Sequence, residues 1–226
     1  DSTDYQVYNN SAQQDASTEA VRETAGEVLK YKGNIVTTYY YSTSCGKTTT
    51  MKAWGTSENE SNGYLQSVEV KDKNGDYEKS LPWYRWEADI DQDILSTLLA
   101  ENVKKNIGTV QSLEVTKTGP GGVALQIKAV GDKGSITVDT ENKIRKALGG
   151  NGYEIKKQDG TVVQSGTLLP SAFFKVKKAG NIFKIIGGGY GHGIGMSQNG
   201  ANEMAKTGKN YQEILQMFYP GTTIEK

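Results

Sequence analysis

GGGYGHGIGMSQNG, residues 187–200, is the stretch that decides how the rest of this chain is interpreted. Seven of its fourteen residues are glycine, and it contains His192, the only histidine of the chain. Each glycine loses backbone entropy on folding and offers no side chain for packing, so the interior of a helix or sheet does not favour this composition. We therefore predict a segment whose backbone turns unusually or lets another group approach closely.

The sequence on both sides of this glycine segment (residues 187–200) predicts short elements. Ser197 precedes a helix that reaches about Lys206, and a capping-box pattern from Asn210 to Glu213 opens a second helix. The other predicted elements are hairpins at 27–41, 111–130 and 172–186, a strand at 64–70, a solvated turn at 71–79, and helices at 15–25, 91–102 and 141–148. We expect an α+β fold, with a strand-rich core of antiparallel hairpins, short helices at its margins and two helices at the C-terminus.

Length and charge restrict the class of protein. At 226 residues the chain fits a single domain over 1–226, with room for an excursion at about 72–180. Lysine plus arginine and aspartate plus glutamate both number 26, which gives no electrostatic reason to bind nucleic acid or an anionic membrane surface. No run of about 18 apolar residues predicts a transmembrane helix. The sequence shows no signal peptide and does not begin with methionine, so we expect it to be part of a longer protein.

His192 is the first candidate for function. With glycine on both sides, its imidazole can point into open space, and Ser197 and Gln198 follow at a helix N-terminus, where free N–H groups bind polar or anionic groups. The alternative is a structural histidine that is hydrogen-bonded to a carbonyl. The glycine spacing does not match either nucleotide-binding loop motif.

Residues 42–48, STSCGKT, form the second candidate site. Their hydroxyls suit recognition of sugar hydroxyl or acetamido groups, although a hydroxyl-rich turn explains them equally well. Cys45 and His192 are a nucleophile–base dyad if the fold brings them together, but a free cysteine is more often a small buried apolar residue. As metal ligands these two residues fall short of the usual three or four.

Cleavage of a glycosidic bond also needs a carboxylic acid. Glu58, Glu60 and Glu87 lie near turns or aromatic residues, but no motif selects one of them, and solvated surface positions are expected for all three. No function is predicted for the aromatic run from Trp83 to Trp86.

The glycine segment resembles a known family. GYGHGIGMSQNGA at 189–201 is similar to the G-x-G-H-G-x-G-M-S-Q-x-G-A signature of stage II sporulation protein D and its relatives. Further similar stretches, in the same order as in that family, are Asp1–Tyr8, TAGEVL at 24–29, YYSTSCGKT at 40–48, YQEIL at 211–215 and FYPGT at 218–222. Cys45 stands where the family usually has glycine.

The resemblance implies a peptidoglycan lytic transglycosylase. Such an enzyme cleaves the bond between N-acetylmuramic acid and N-acetylglucosamine without water, leaving a 1,6-anhydro end. It acts during spore engulfment on glycan strands that a partner amidase has stripped of peptides. Related amidase enhancers imply an alternative, a non-catalytic glycan-binding activator of the amidase. The implied location is the bacterial envelope, outside the cytoplasm, with an N-terminal membrane anchor beyond this chain and other engulfment proteins as partners.

The resemblance also implies which residues form the site. It places the catalytic glutamate in a helix ahead of Asp1, so no catalytic acid is assigned here, and His192 has a supporting role. The expected substrate-binding residues are Ser42, Ser44, Cys45, Gly46, Thr48, Tyr190, His192, Ser197 and Gln198. Some relatives carry a His/Cys metal pair in the segment that matches Asp1–Tyr8; this chain has neither residue there, so we expect no metal, and we expect no cofactor.

Overall fold

The computed structural model describes residue 12 and residues 14–226, so the similarity at Asp1–Tyr8 lies outside the described residues. The helices are α1 (Asp15–Glu23), α2 (Gln92–Val103), α3 (Glu141–Leu148), α4 (Gln198–Lys206) and α5 (Tyr211–Phe218). The strands are β1 (Val28–Tyr31), β2 (Asn34–Ile35), β3 (Tyr40–Tyr41), β4 (Lys71–Asp72), β5 (Gly75–Asp76), β6 (Trp86–Asp91), β7 (Val110–Thr118), β8 (Ala124–Gly131), β9 (Gly134–Asp139), β10 (Glu154–Lys157), β11 (Val162–Gln164), β12 (Phe174–Ala179), β13 (Ile182–Gly187), β14 (Met196–Ser197) and β15 (Thr223–Glu225). The predicted α+β fold, with antiparallel sheets and two C-terminal helices, is confirmed.

The largest sheet positions the glycine segment. Its strand order is β11-β10-β6-β13-β12, and neighbouring strands are antiparallel. β13 pairs with β6 from Ile182 opposite Asp91 to Gly187 opposite Trp86. Since Gly187 is also the first residue of the glycine segment, this register fixes where the segment leaves the sheet. Two further antiparallel sheets have the orders β7-β8-β9 and β15-β1-β2.

The core follows from the periodicity of the elements that surround it. In β6 the side chains of Trp86, Ala88 and Ile90 are buried, as a strand with one face on the core requires. In α2 the fully buried leucines Leu95 and Leu99 lie four residues apart, on the face that packs towards α3. Burial of each such leucine contributes about 2 kcal/mol relative to an exposed side chain.

Two predictions for residues 64–79 need correction. No strand forms at residues 64–70: Tyr64 and Leu65 are buried in succession, and only Glu69 makes an isolated bridge, to Lys47. Consecutive buried side chains break the period of two that a half-buried strand needs. The predicted turn at 71–79 is confirmed as the β4–β5 hairpin, but Glu78 near its end is fully buried rather than solvated. The described helices are all too short or too polar to span a bilayer.

Candidate functional site

The glycine segment and residues 42–48 lie against each other. β14 pairs in parallel with β3, and Thr43 and Tyr190 exchange two backbone hydrogen bonds of 3.1 and 2.8 Å. The Thr49 N–H also donates to the Gly193 carbonyl at 2.7 Å. Hydroxyl-rich and glycine-rich stretches about 150 residues apart in sequence therefore form one structure.

The glycines of this segment alternate for a steric reason. Residues 189, 191, 193 and 195 all have φ between +75° and +119°, the left-handed region that only glycine adopts without strain. At Gly195 an added Cβ would also overlap the Tyr39 carbonyl oxygen, and at Gly191 it would lie 2.7 Å from Cβ of Tyr41. The left-handed backbone therefore favours glycine at every second position, and close packing adds to this constraint at Gly191 and Gly195.

His192 is held by backbone groups through both ring nitrogens. Nε2 lies 2.9 Å from the Tyr40 carbonyl oxygen, to which it donates, and Nδ1 accepts from the Ile194 N–H at 3.1 Å. The ring packs between Tyr41 and Trp54, with centroid distances of 5.5 and 5.0 Å. Burial, together with the charge of a nearby arginine, lowers the His192 pKa to about 4, although the hydrogen bond to the Tyr40 carbonyl acts in the opposite direction. His192 is thus a neutral imidazole in a fixed tautomer, which matches the structural alternative considered for it.

That arginine belongs to a buried ion pair beneath the site. Nη1 of Arg145 contacts Oε1 of Glu141 at 2.7 Å, and its Nε donates to the Leu169 carbonyl at 2.7 Å. The indole N–H of Trp54 donates to the other oxygen of Glu141 at 3.3 Å. Because these bonds fix Trp54, they also fix the ring against which His192 packs.

Glu78 is the residue that sequence reasoning missed. Its Oε1 accepts from the Ser44 N–H at 2.9 Å and from the Ser197 hydroxyl at 2.7 Å, and its Oε2 accepts from the Ser44 hydroxyl. The side chain is fully buried, and this burial raises the Glu78 pKa although the serine hydrogen bonds act in the opposite direction. One carboxyl group therefore joins residues 42–48 to the N-terminus of α4. The charged residues around Glu78 in sequence gave no sign of this.

Several predicted binding residues lie below the surface. Ser44, Thr48 and Ser197 are each at most 1% exposed. Thr48 donates to the Gln66 carbonyl and accepts from the Val68 N–H, and Ser197 caps α4 by accepting from the Gly200 N–H at 3.2 Å. In this structure these hydroxyls stabilise the loop, so the prediction that they contact a sugar directly is corrected.

The structure opposes a Cys45–His192 dyad. Both nitrogens of His192 are engaged by the backbone, and burial raises the pKa of the Cys45 thiol to about 11. The neighbouring Gly46 is buried, with φ of +101°, beside the carboxyl group of Asp76. Cys45 and Gly46 therefore shape the loop.

The remaining predicted residues lie at the outer side of the junction. Tyr190 is 42% exposed and packs on Trp83, with ring centroids 4.8 Å apart. Gln198 is exposed in the first turn of α4. Ser42 is half-buried, and its carbonyl accepts from the Asn199 N–H at 3.0 Å. These are the side chains that a ligand can reach.

The acidic residues singled out in the sequence are all paired with lysines. Glu58 lies 3.0 Å from Lys52, Glu60 lies 3.8 Å from Lys32, and Glu87 lies 2.9 Å from Lys184. The positions are exposed or half-buried, as expected for solvated carboxylates. Within residues 14–226 no group of three or more His, Cys, Asp or Glu side chains could hold a metal ion.

Comparison with known sequences identifies the family. The chain belongs to the family described as "Domain of unknown function (DUF8618)", whose model matches residues 43–195, from the bridge at Thr43 to Gly195. The resemblance to stage II sporulation protein D is also confirmed: over 92% of this chain, that protein of Bacillus subtilis (strain 168) is 30% identical and that of Bacillus amyloliquefaciens is 28% identical. The "Amidase enhancer" of Bacillus subtilis (strain 168) is 28% identical over 99% of the chain. The chain spans 51% of the length of the first two relatives and 34% of the third.

Proposed function

We propose that this chain is part of a lytic transglycosylase and binds the glycan strands of peptidoglycan. The enzyme cleaves bonds between N-acetylmuramic acid and N-acetylglucosamine during spore engulfment. It acts outside the cytoplasm at the bacterial envelope, with a membrane anchor beyond this chain. A cell-wall amidase and other engulfment proteins are its partners. The similarity to stage II sporulation protein D and to an amidase enhancer supports a role at the cell wall.

The observation that carries this proposal is the junction between residues 42–48 and the glycine segment. It presents an exposed aromatic ring, Tyr190, together with the polar groups of Ser42 and Gln198. An aromatic face covers the apolar face of a pyranose ring while its hydroxyl stays hydrated, and the polar groups bind sugar hydroxyls. The buried hydrogen bonds of Glu78 and His192 keep these groups in position.

The chemistry needs a single carboxyl group. Protonated, it donates a proton to the leaving glycosidic oxygen; once ionised, it accepts the proton of the 6-hydroxyl as that oxygen bonds to C1 and closes the anhydro ring. Glu78 is fully buried and so does not reach a substrate. The family's glutamate, in the segment expected ahead of Asp1, supplies this group in our proposal.

The reaction is tested on the full-length protein. Purified sacculi stripped of peptides are digested and analysed by mass spectrometry, and 1,6-anhydro-N-acetylmuramic ends are the expected product. Products with reducing ends would contradict transglycosylation, because they require water.

A second candidate is a non-catalytic activator of the amidase, and the similarity to an "Amidase enhancer" over 99% of this chain favours it. This function predicts no anhydro ends and a faster release of peptides when the protein is added to the amidase. The same mass spectrometry separates the two candidates.

Glycan binding itself is tested by titrating chitotetraose. We expect Tyr190→Ala to weaken binding roughly tenfold, the loss of about one aromatic contact. Tyr211→Ala is the matched control, because Tyr211 has nearly the same exposure, 43%, but lies on α5. Equal affinity of both variants would place the glycan elsewhere.

A further inference from the structure

The segment from Trp83 to Trp86 is bound tightly to the glycine segment. The Trp83 carbonyl accepts from the Gly189 N–H at 2.8 Å, and the indole of Trp86 donates to the Gly189 carbonyl at 3.0 Å. Gly188 is packed against the Tyr84 carbonyl and a guanidinium nitrogen of Arg85. The orientation of these side chains is therefore set by the same backbone that forms the proposed glycan-binding junction.

Arg85 is fixed but only partly used. Its guanidinium carbon lies 3.8 Å from the centre of the Tyr84 ring, and Nη1 donates to the carbonyls of Cys45 and Tyr84 at 3.0 and 2.7 Å. A guanidinium has five N–H donors, and within the described residues those of Arg85 bond to these two carbonyls and to the Tyr84 side chain, which leaves donors for a ligand. Arg85 is exposed and makes no ion pair within the described part of the chain.

A small cavity lies beside this guanidinium. Its volume is about 280 Å³, and its lining includes Arg85, Lys156, Lys157 and Ile186. The single acidic side chain of the lining, Glu87, is paired with Lys184 and so does not neutralise these cations. The cavity therefore carries an excess of positive charge in a protein whose net charge is zero.

The cavity adjoins the exposed aromatic face. The ammonium group of Lys157 lies 4.8 Å from the centre of the Trp83 ring, and the Tyr190 ring also packs on Trp83, with the ring centroids 4.8 Å apart. Trp83 therefore contacts both Tyr190 and a cation of the cavity lining, so it connects the exposed aromatic ring to the cationic cavity.

We propose that Trp83, Arg85, Lys157 and Tyr190, the aromatic–cationic corner, form a subsite for a sugar that carries a carboxylate. The free N–H groups of Arg85 bind the two carboxylate oxygens, Lys157 adds charge, and the aromatic rings hold the sugar. This subsite deepens the proposed function and rests on it. A muramic acid unit with a free lactyl carboxylate has this chemistry, whereas N-acetylglucosamine lacks the charge.

The test compares four ligands on the full-length protein by calorimetry. They are a tetrasaccharide of alternating N-acetylglucosamine and N-acetylmuramic acid with free carboxylates, its methyl ester, chitotetraose, and an oligomer of glycerol phosphate. We expect the free acid to bind about tenfold more tightly than its ester, the effect of one charge-assisted hydrogen-bonded pair. In Arg85→Gln this ratio falls towards one, while affinity for chitotetraose is unchanged.

Two further variants keep the result interpretable. Lys157→Gln lowers the same ratio and leaves the hydrogen bonds of Arg85 to the loop intact, so it separates charge recognition from misfolding. Arg22→Gln, which removes an exposed arginine on α1 that makes no ion pair with another described residue, keeps the full ratio.

The outcomes distinguish the two proposals. Equal affinity for the acid, the ester and chitotetraose overturns the proposed subsite but not the proposed glycan-binding face. A preference for the acid that persists in both Arg85→Gln and Lys157→Gln has the same consequence. The subsite is also overturned if the glycerol phosphate oligomer binds in an Arg85-dependent way while the tetrasaccharide acid binds no better than its ester. That result would assign the cations to a phosphate polymer. Failure of all three saccharides to bind overturns both proposals.

Discussion

Acidification tests the assignment of His192 as a neutral, half-buried imidazole. In the folded chain its pKa is lowered to about 4, whereas an exposed histidine titrates near 6.5. Between these two values the unfolded chain binds a proton at this residue and the folded chain does not. The stability that neutral His192 supports is therefore complete above pH 6.5 and is lost as the pH falls towards 4. The difference in pKa corresponds to on the order of 3 kcal/mol.

The measurement is direct because His192 is the only histidine. Its ring carbon and nitrogen resonances in an NMR titration belong to one residue, and we expect them to stay constant from pH 8 to about 5. The nitrogen shifts should report a proton on Nε2, since Nδ1 accepts from the Ile194 N–H. Urea unfolding at pH 7 and pH 5 then gives the stability change, which should be smaller in His192→Gln. A midpoint at or above pH 6.5, or a proton on Nδ1, would refute the buried geometry.

Three other predictions concern the packing around the site. Gly195→Ala should lower the free energy of unfolding in urea by about 3 kcal/mol or more, because it combines left-handed backbone strain with overlap of the Tyr39 carbonyl. The control Gly180→Ala, where φ is +58° and no atom lies near the added Cβ, should lower it by only about 1 kcal/mol. Similar losses in both variants would show that the overlap at Gly195 is relieved. Burial raises the Glu78 pKa, so ionisation of Glu78 opposes folding as the pH rises above 4.5. The stability of Glu78→Gln, measured relative to that of the parent, should therefore increase from pH 5 to pH 8. A stability difference that does not change with pH would argue against this. Iodoacetamide should modify Cys45 roughly a hundredfold more slowly in the folded than in the unfolded chain, as followed by mass spectrometry, because burial raises its thiol pKa to about 11; rapid modification would revive a reactive thiol.

Local signals predicted most of the architecture. The capping box at Asn210 and Glu213, the N-cap at Ser197 and the boundaries of α3 all appear in the structure, because each depends on residues within one or two helical turns. The hairpins of β7–β8 and β12–β13 follow from glycine-centred turns between β-forming runs. The strand predicted at 64–70 failed because tertiary packing, rather than alternation, decides which of its side chains are buried.

The site was predictable in outline only. Similar segments in the same order placed residues 42–48 and the glycine segment together, but which hydroxyls face outward depends on a partner that local patterns do not reveal. Glu78 is that partner: it binds Ser44 and Ser197, which lie 34 residues before it and 119 after it. The same limit applies to Arg85, whose orientation depends on the distant Cys45 carbonyl.

The alternating glycines have a consequence for sequence variation. Positions 189, 191, 193 and 195 carry the steric constraint, so natural variation and laboratory selection should be confined to the residues between them. Among those, Tyr190 faces outward, where exchange alters recognition without threatening the fold, whereas Ile194 is buried. A saturation library of residues 189–195 should then show low tolerance of substitution at every second position, the glycines. Among the positions between them, Tyr190 should hold most of the exchanges that change ligand specificity.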